Sequence, residues 1–134
     1  MRSNGASLNA QLSRVISETG HTDLVVITDA GLPIPPSVER IDLAYRPGSP
    51  AFLDLLDTVL SELAVEGAIV ANEIADQSPA MLTELRRRFD PLGIELEMIP
   101  HAEFKALTGS ARAAVRSGEF TAFANVILRA GVVY

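Results

Sequence analysis

Short apolar runs alternate with amphipathic helical patterns along this chain, and the alternation limits the possible folds more than any other feature. The run 24–28 is β-branched and bounded by turn residues, which is typical of a buried strand. Further strands are predicted at 41–44, 67–71, 94–98, 113–116 and 126–133. The spacing of apolar residues predicts helices over 8–19, 50–63, 79–89 and 101–107.

The β–α alternation in the middle of the chain predicts an α/β fold of three layers, with helices on both faces of a mostly parallel central sheet. The last two strands follow each other without a helix, so we expect an antiparallel addition at the C-terminus. A length of 134 residues suffices for one packed core, and the prediction is a single domain over 1–134. Ser49-Pro50 and Ser78-Pro79 each match an N-cap serine followed by a proline at the first helical position.

Charge and composition exclude several classes of function. Seventeen acidic against eleven basic residues give a net charge of −6, which argues against nucleic acid or an anionic membrane surface as a partner. The absence of cysteine excludes disulfides, thiolate catalysis and thiolate metal sites. Residues 1–5 are polar and no run reaches transmembrane length, so a cytoplasmic location is expected. A mean hydropathy of +0.24 in a small acidic chain predicts apolar surface buried between subunits.

The chain has two histidines, which occupy opposite electrostatic settings. His21 follows the helix-ending Gly20, and the negative end of that helix stabilises an imidazolium, which suits a proton donor. The alternative is a histidine that only caps the last carbonyls of the helix. His101 follows Pro100 and opens a helix, whose positive end favours a neutral imidazole, although an ordinary first-turn residue is the alternative.

Asp29 follows the predicted strand 24–28, and open α/β sheets bind ligands at the carboxyl ends of their strands. The alternative is a turn aspartate that caps the following loop. His21 precedes Asp29 by eight residues, a span of roughly 26 Å when fully extended. The two residues therefore serve different sites, or the chain bends sharply between them, or a neighbouring subunit completes one site.

Phe123 and Asn125 place an aromatic face beside an amide that both donates and accepts hydrogen bonds, a combination common in sugar-binding sites. The alternative is a loop that buries Phe123 in the core. No His-x-x-x-His or Glu-x-x-His spacing and no glycine-rich phosphate motif is present, so neither a metal nor a nucleotide cofactor is predicted.

Several motifs, in order along nearly the whole chain, resemble the ribose pyranase and fucose mutarotase family. They are GHTD at 20–23, VITDAGLPIP at 26–35, IDL at 41–43, PGSPAF at 47–52, HAEFK at 101–105, RSGE at 116–119 and ANVIL at 124–128. The loop around Gly31-Leu32-Pro33 is more similar to the ribose branch than to the fucose branch.

The resemblance implies an isomerase that interconverts the β-pyranose and β-furanose forms of D-ribose by acid–base ring opening, without a cofactor. It implies that His21 is the proton donor and that Asp29, His101, Phe123, Ala124 and Asn125 lie at substrate-binding positions. It also implies a homo-oligomer, a decamer of two pentameric rings, with sites near subunit interfaces.

One departure from the family pattern concerns the sugar directly. The chain has Ala122-Phe123 where the family has Pro-Tyr, so a hydroxyl that could bind the sugar is missing. Such a loss costs about 1–3 kcal/mol where it leaves a buried partner unpaired. Two alternatives therefore stay open: a mutarotase of L-fucose or another aldose, and a sugar-binding ring without catalytic activity.

Overall fold

The computed structural model describes residues 1–3 and 6–134, so residues 4 and 5 of the polar N-terminal segment lie outside the description. Within the described residues, one sheet contains the strands β1 (Leu24–Thr28), β2 (Glu39–Asp42), β3 (Val65–Ala71), β4 (Leu96–Ile99), β5 (Ala113–Arg116) and β6 (Val126–Ala130). The α-helices are α1 (Ala10–Glu18), α2 (Phe52–Glu62), α3 (Ile74–Gln77), α4 (Pro79–Phe89) and α5 (His101–Thr108). A 3-10 turn follows at Asp90–Leu92.

The strand order is β2-β5-β1-β6-β3-β4. β5 pairs in parallel with β1 and β2, and β3 pairs in parallel with β4, whereas β6 runs antiparallel between β1 and β3. The predicted fold class is confirmed. The antiparallel strand is β6, and it lies in the middle of the sheet, between β1 and β3. Because β6 is antiparallel to β1 and β3, it begins at the edge of the sheet where they end. Ile27 therefore pairs with Val126, and the residues that follow β1 are neighbours of those that precede β6.

Alternation along the buried strands builds a core on each face of the sheet. In β1, Val25 and Ile27 pack among the apolar stripes of α1, α2 and α4, while Val26 packs with Phe104 of α5 on the other face. The side chains of Phe52, Leu56 and Val59 in α2 and of Leu82, Leu85 and Phe89 in α4 are buried as their spacing predicts. Helices therefore cover both faces, as expected for a three-layer α/β fold.

The predicted start of α2 is wrong. The helix begins at Phe52 instead of Pro50, and Ser49 closes a turn in which its N–H donates to the Arg46 carbonyl at 2.9 Å. The Phe52 N–H donates instead to Glu119 Oε1 at 3.0 Å, so the cap comes from a loop distant in sequence. Ser78 does precede α4, but its hydroxyl donates to the Ala122 carbonyl at 2.7 Å and forms no cap bond.

Some strands begin or end at other residues than predicted, because pairing with neighbouring strands, and not the local pattern, decides their bounds. β2 and β3 each begin two residues earlier than predicted, and β6 ends at Ala130, after which Val132 and Tyr134 are exposed. The short helix α3 and the turn after α4 were not predicted, since one turn of helix gives too few residues for a periodic pattern.

Candidate functional site

Polar and aromatic side chains meet at the edge of the sheet where β1, β3 and β4 end and β6 begins. Asp29 follows β1, Asn125 precedes β6, and His101 opens α5 directly after β4 and Pro100. The Asn125 N–H donates to the Phe123 carbonyl at 2.8 Å, which forms a tight turn just before β6. The structure thus brings together four of the predicted site residues.

The Asp29 carboxylate is held in place by Asn125 and by its own loop. Asn125 Oδ1 accepts from the Asp29 N–H at 2.8 Å, and Asn125 Nδ2 donates to Asp29 Oδ2 at 3.2 Å. Asp29 Oδ1 accepts from the N–H groups of Gly31 and Leu32 at 3.0 and 2.8 Å. Because the Asn125 side chain is 1% exposed, its amide fixes the carboxylate rather than offering a free face to a ligand.

His101 forms an aromatic pair with Phe123, which lies two residues before Asn125. Their ring centroids are 5.0 Å apart with an interplanar angle of 85°, an edge-to-face contact. The His101 N–H donates to both carboxylate oxygens of Glu73, at 3.1 and 3.2 Å, which fixes the start of α5. His101 Nδ1 is buried and has no hydrogen-bond partner within residues 1–3 and 6–134. An unpaired buried nitrogen lowers the free energy of unfolding by about 1–3 kcal/mol, unless a ligand or a second subunit binds it.

The backbone at Phe123 is strained. Its φ of 61° lies in the left-handed region, which a bulky residue adopts only where surrounding contacts impose it. Phe123 is half-buried and packs against the core, which leaves part of the residue exposed. Ala124 differs from the rest of the predicted set, because it packs in the core and the whole residue is 0% exposed.

A cleft of about 390 Å³ opens at Asp29, a size within the range of small-molecule sites. Its lining residues are Asp29, Ala30, Gly31, Arg116, Glu119, Phe120, Thr121 and Ala122. Arg116 Nε donates to the Ala30 carbonyl at 3.0 Å, and its Nη1 donates to both Asp42 oxygens at 3.1 Å. Burial raises the pKa of the Asp42 carboxyl, but the hydrogen bonds from Arg116 and from the Ala44 N–H outweigh it and leave that pKa lowered.

Arg116 and Glu119 were not predicted as site residues. Both lie in or just after the carboxyl end of β5, the same sheet edge as Asp29, and that position was the available signal. Gly118 between them is required sterically, because a Cβ there would run into the backbone of Arg46 and Ser49. This close approach fixes the turn at 45–50 against the cleft.

His21 lies at the opposite end of the sheet. It belongs to the turn before β1, its side chain is 51% exposed, and its Nε2 is 2.9 Å from Glu66 Oε2. The extended segment from Leu24 to Asp29 separates the two ends by about 17 Å, so one monosaccharide cannot contact both residues of one chain. A sharp bend is thereby excluded, and the remaining possibilities are separate sites or a site shared between subunits.

Outside residues 4 and 5, no three histidine or carboxylate side chains cluster closely enough to hold a metal ion. Among the same residues, no helix combines the length and apolar character needed to cross a membrane.

This chain is similar in sequence and in structure to other proteins over its whole length. A model of the RbsD / FucU transport protein family matches residues 2–133. The D-ribose pyranase of Laribacter hongkongensis (strain HLHK9) is 54% identical over 134 residues, 100% of both chains, and that of Symbiobacterium thermophilum is 51% identical over 127 residues, 95% of both chains. The structure of Bacillus subtilis RbsD complexed with D-ribose matches with a TM-score of 0.95 and 44% identity over 100% of both chains. The fucose mutarotase of Streptococcus pneumoniae, in complex with L-fucose, matches over 100% of both chains with a TM-score of 0.85 and 22% identity, which supports the fold alone.

Proposed function

The chain belongs to the RbsD / FucU transport protein family, as its motifs predicted, and we propose that it is a D-ribose pyranase. The reaction is the interconversion of the β-pyranose and β-furanose forms of D-ribose. The observation that carries the proposal is the full-length similarity to two bacterial D-ribose pyranases. The cleft at Asp29, whose carboxylate is fixed by Asn125, supports it, and the aromatic pair of His101 and Phe123 near Asn125 in the chain supports it as well.

Ring opening needs one proton added and one removed. The ring oxygen gains a proton as its bond to the anomeric carbon breaks, and the anomeric hydroxyl loses a proton to become the aldehyde oxygen. Closure by another hydroxyl reverses both transfers, so no proton is consumed overall. We assign the proton on the ring oxygen to His21, and we assign to Asp29 and His101 the binding of hydroxyls or removal of the anomeric proton. Phe123 stacks on the sugar, and Asn125 holds Asp29.

His21 and Asp29 can meet on one sugar only across a subunit boundary. We therefore propose a homo-oligomer in which His21 of one protomer completes the cleft of its neighbour, and the resemblance makes a decamer of two pentameric rings the expected form. The exposure of His21 and of two aromatic side chains near the cleft supports such a contact; these are Phe120, 71% exposed, and Tyr45, 81% exposed. Sedimentation that shows a monomer at all concentrations would contradict it. A cytoplasmic location stays a prediction from the sequence.

Saturation-transfer NMR on D-ribose tests the activity directly. The wild-type chain is expected to accelerate exchange between pyranose and furanose signals, and His21→Ala is expected to abolish the acceleration. Ser17→Ala, an exposed change on α1, serves as the control and retains wild-type exchange. Exchange in His21→Ala equal to that of the wild type would remove His21 from the mechanism.

The same experiment separates the alternatives. Faster exchange with L-fucose than with D-ribose would favour a mutarotase of another sugar. Thermal stabilisation by ribose without accelerated exchange would favour a sugar-binding ring. In that case Phe123→Tyr restores a hydroxyl at the aromatic position, and a gain of exchange in this variant would attribute the lost activity to that group.

A further inference from the structure

The imidazole of His21 is paired with a carboxylate from another element. Glu66 lies in β3, and its Oε2 is 2.9 Å from His21 Nε2. An ionised carboxylate only accepts hydrogen bonds, so Nε2 must carry the hydrogen in this pair. The second ring nitrogen, Nδ1, is then the atom that is free to exchange a proton with a ligand.

We propose that Glu66 is a positioning residue for His21: it fixes the tautomer and orientation of the imidazole, so that Nδ1 transfers the proton to the sugar. This inference rests on the proposed function for its substrate and on the observed contact for its geometry. Glu66 itself contacts no sugar in the proposal, since it acts only through His21.

The turn that carries His21 is held in place by hydrogen bonds. Thr22, next to His21, has a φ of 72° in the strained left-handed region, and its N–H donates to the Ala130 carbonyl at 2.9 Å. Asp23 Oδ2 accepts from the Gly20 N–H at 2.9 Å and from Arg112 Nε at 2.8 Å. The turn that carries His21 is therefore tied to β6 and to the start of β5, which keeps the imidazole over Glu66.

A cation engages the other oxygen of Glu66. Arg129 of β6 lies opposite Gly67 in the sheet register, and its Nε is 3.6 Å from Glu66 Oε1. A Cβ at Gly67 would collide with the Arg129 guanidinium, so the glycine lets this side chain cross the strand toward Glu66. The charged groups around His21 are thus Glu66 from β3, Arg129 from β6, and Asp23 of its own turn, which is already paired with Arg112.

The tautomer can be observed without any sugar. The chain has two histidines, so ¹⁵N-histidine spectra of the wild type and of His101→Gln assign His21. The proposal predicts a pyridine-like Nδ1 for neutral His21, and a mixed population of tautomers in Glu66→Gln, whose amide can donate to Nε2. An Nδ1–H tautomer in the wild type, or an unchanged population in Glu66→Gln, would overturn the proposal.

Kinetics supply the second test. Glu66→Gln is expected to lower kcat for ribose exchange about tenfold or more, with KM unchanged, as part of the 10²–10⁴-fold that general acid–base catalysis contributes.

Glu97→Gln on β4 is the matched control, because it removes one exposed strand carboxylate away from His21 and is expected to keep the wild-type kcat and KM. A Glu66→Gln variant with wild-type kcat, or with reduced thermal stability and an unchanged tautomer population, would reduce Glu66 to a structural residue. If His21→Ala is inactive while Glu66→Gln is normal, only this inference fails. If His21→Ala is fully active, the proposed function fails.

Discussion

At the scale of single residues, the site depends on how one carboxylate is fixed. Asp29 receives hydrogen bonds from loop N–H groups on one oxygen and from Asn125 on the other. Asn125 also accepts from the Asp29 N–H, so one buried amide holds both the backbone and the side chain of Asp29. The carboxylate proposed to bind the sugar is therefore set in place before any ligand arrives, which lowers the ordering cost of binding.

Asn125→Ala is expected to weaken both folding and sugar binding. The variant leaves the Asp29 N–H without its acceptor, which costs about 1–3 kcal/mol of the free energy of unfolding. Urea denaturation measures that loss, and ribose titration by NMR measures the affinity. Asn72→Ala removes an exposed asparagine and serves as the control. Equal stability and equal affinity in the two variants would contradict the role given to Asn125.

Sequence reasoning located Asp29 because the end of a buried strand is a local pattern with a known use. It did not reveal that the Asn125 amide is occupied by Asp29, since that contact spans 96 residues. It also placed Ala124 in the site by its position in a motif, whereas the structure buries the methyl group in the core. Local patterns predict which residues lie near a site, and long-range pairing decides which atoms are free.

At the scale of elements, the loop 119–122 couples the cleft to α2. Glu119 Oε1 accepts from the Phe52 N–H at the start of the helix, and Glu119 Oε2 accepts from the Thr121 hydroxyl at 2.8 Å. Cleft residues therefore supply the cap that the serine before Pro50 was predicted to supply.

Glu119→Ala is expected to lower the free energy of unfolding by about 1 kcal/mol, the usual cost of losing an N-cap acceptor. Glu119→Gln retains an acceptor oxygen and loses less. Denaturant midpoints of the two variants and the wild type measure the difference. A Glu119→Ala midpoint equal to that of the wild type would show that α2 does not depend on this cap.

The elements themselves were largely predictable, because apolar periodicity is local and strong in α2, α4 and β1. The central place of β6 was not, since it follows from pairing with β1 and β3 rather than from any pattern within 126–130. That placement is what makes Asn125 a neighbour of Asp29.

At the scale of the whole molecule, acid stability depends on paired carboxylates. The Gly20 N–H first, and then Arg112, holds the pKa of Asp23 below its ordinary value. A carboxyl with a lowered pKa in the folded state stabilises the protein fully above its unfolded value, about 3.9. That stabilisation is lost as the pH falls through the lower, folded value.

Asp23→Asn is expected to unfold at a lower temperature than the wild type at neutral pH. The gap in Tm stays constant down to about pH 5 and closes below about pH 4, where the wild-type carboxyl also becomes protonated. Thermal melts of both proteins across this range measure the gap. A gap that widens on acidification would contradict the assignment.

The two ends of the sheet carry the two halves of the proposed site, so a mixture of damaged subunits gives the most direct test. His21→Ala and Asp29→Asn are each expected to be inactive alone, because every site then lacks one group. Assemblies refolded from an equal mixture are expected to regain about a quarter of wild-type ribose exchange, at sites that join an intact His21 to a neighbour's intact Asp29. Mixed assemblies as inactive as either parent would contradict a site shared between subunits.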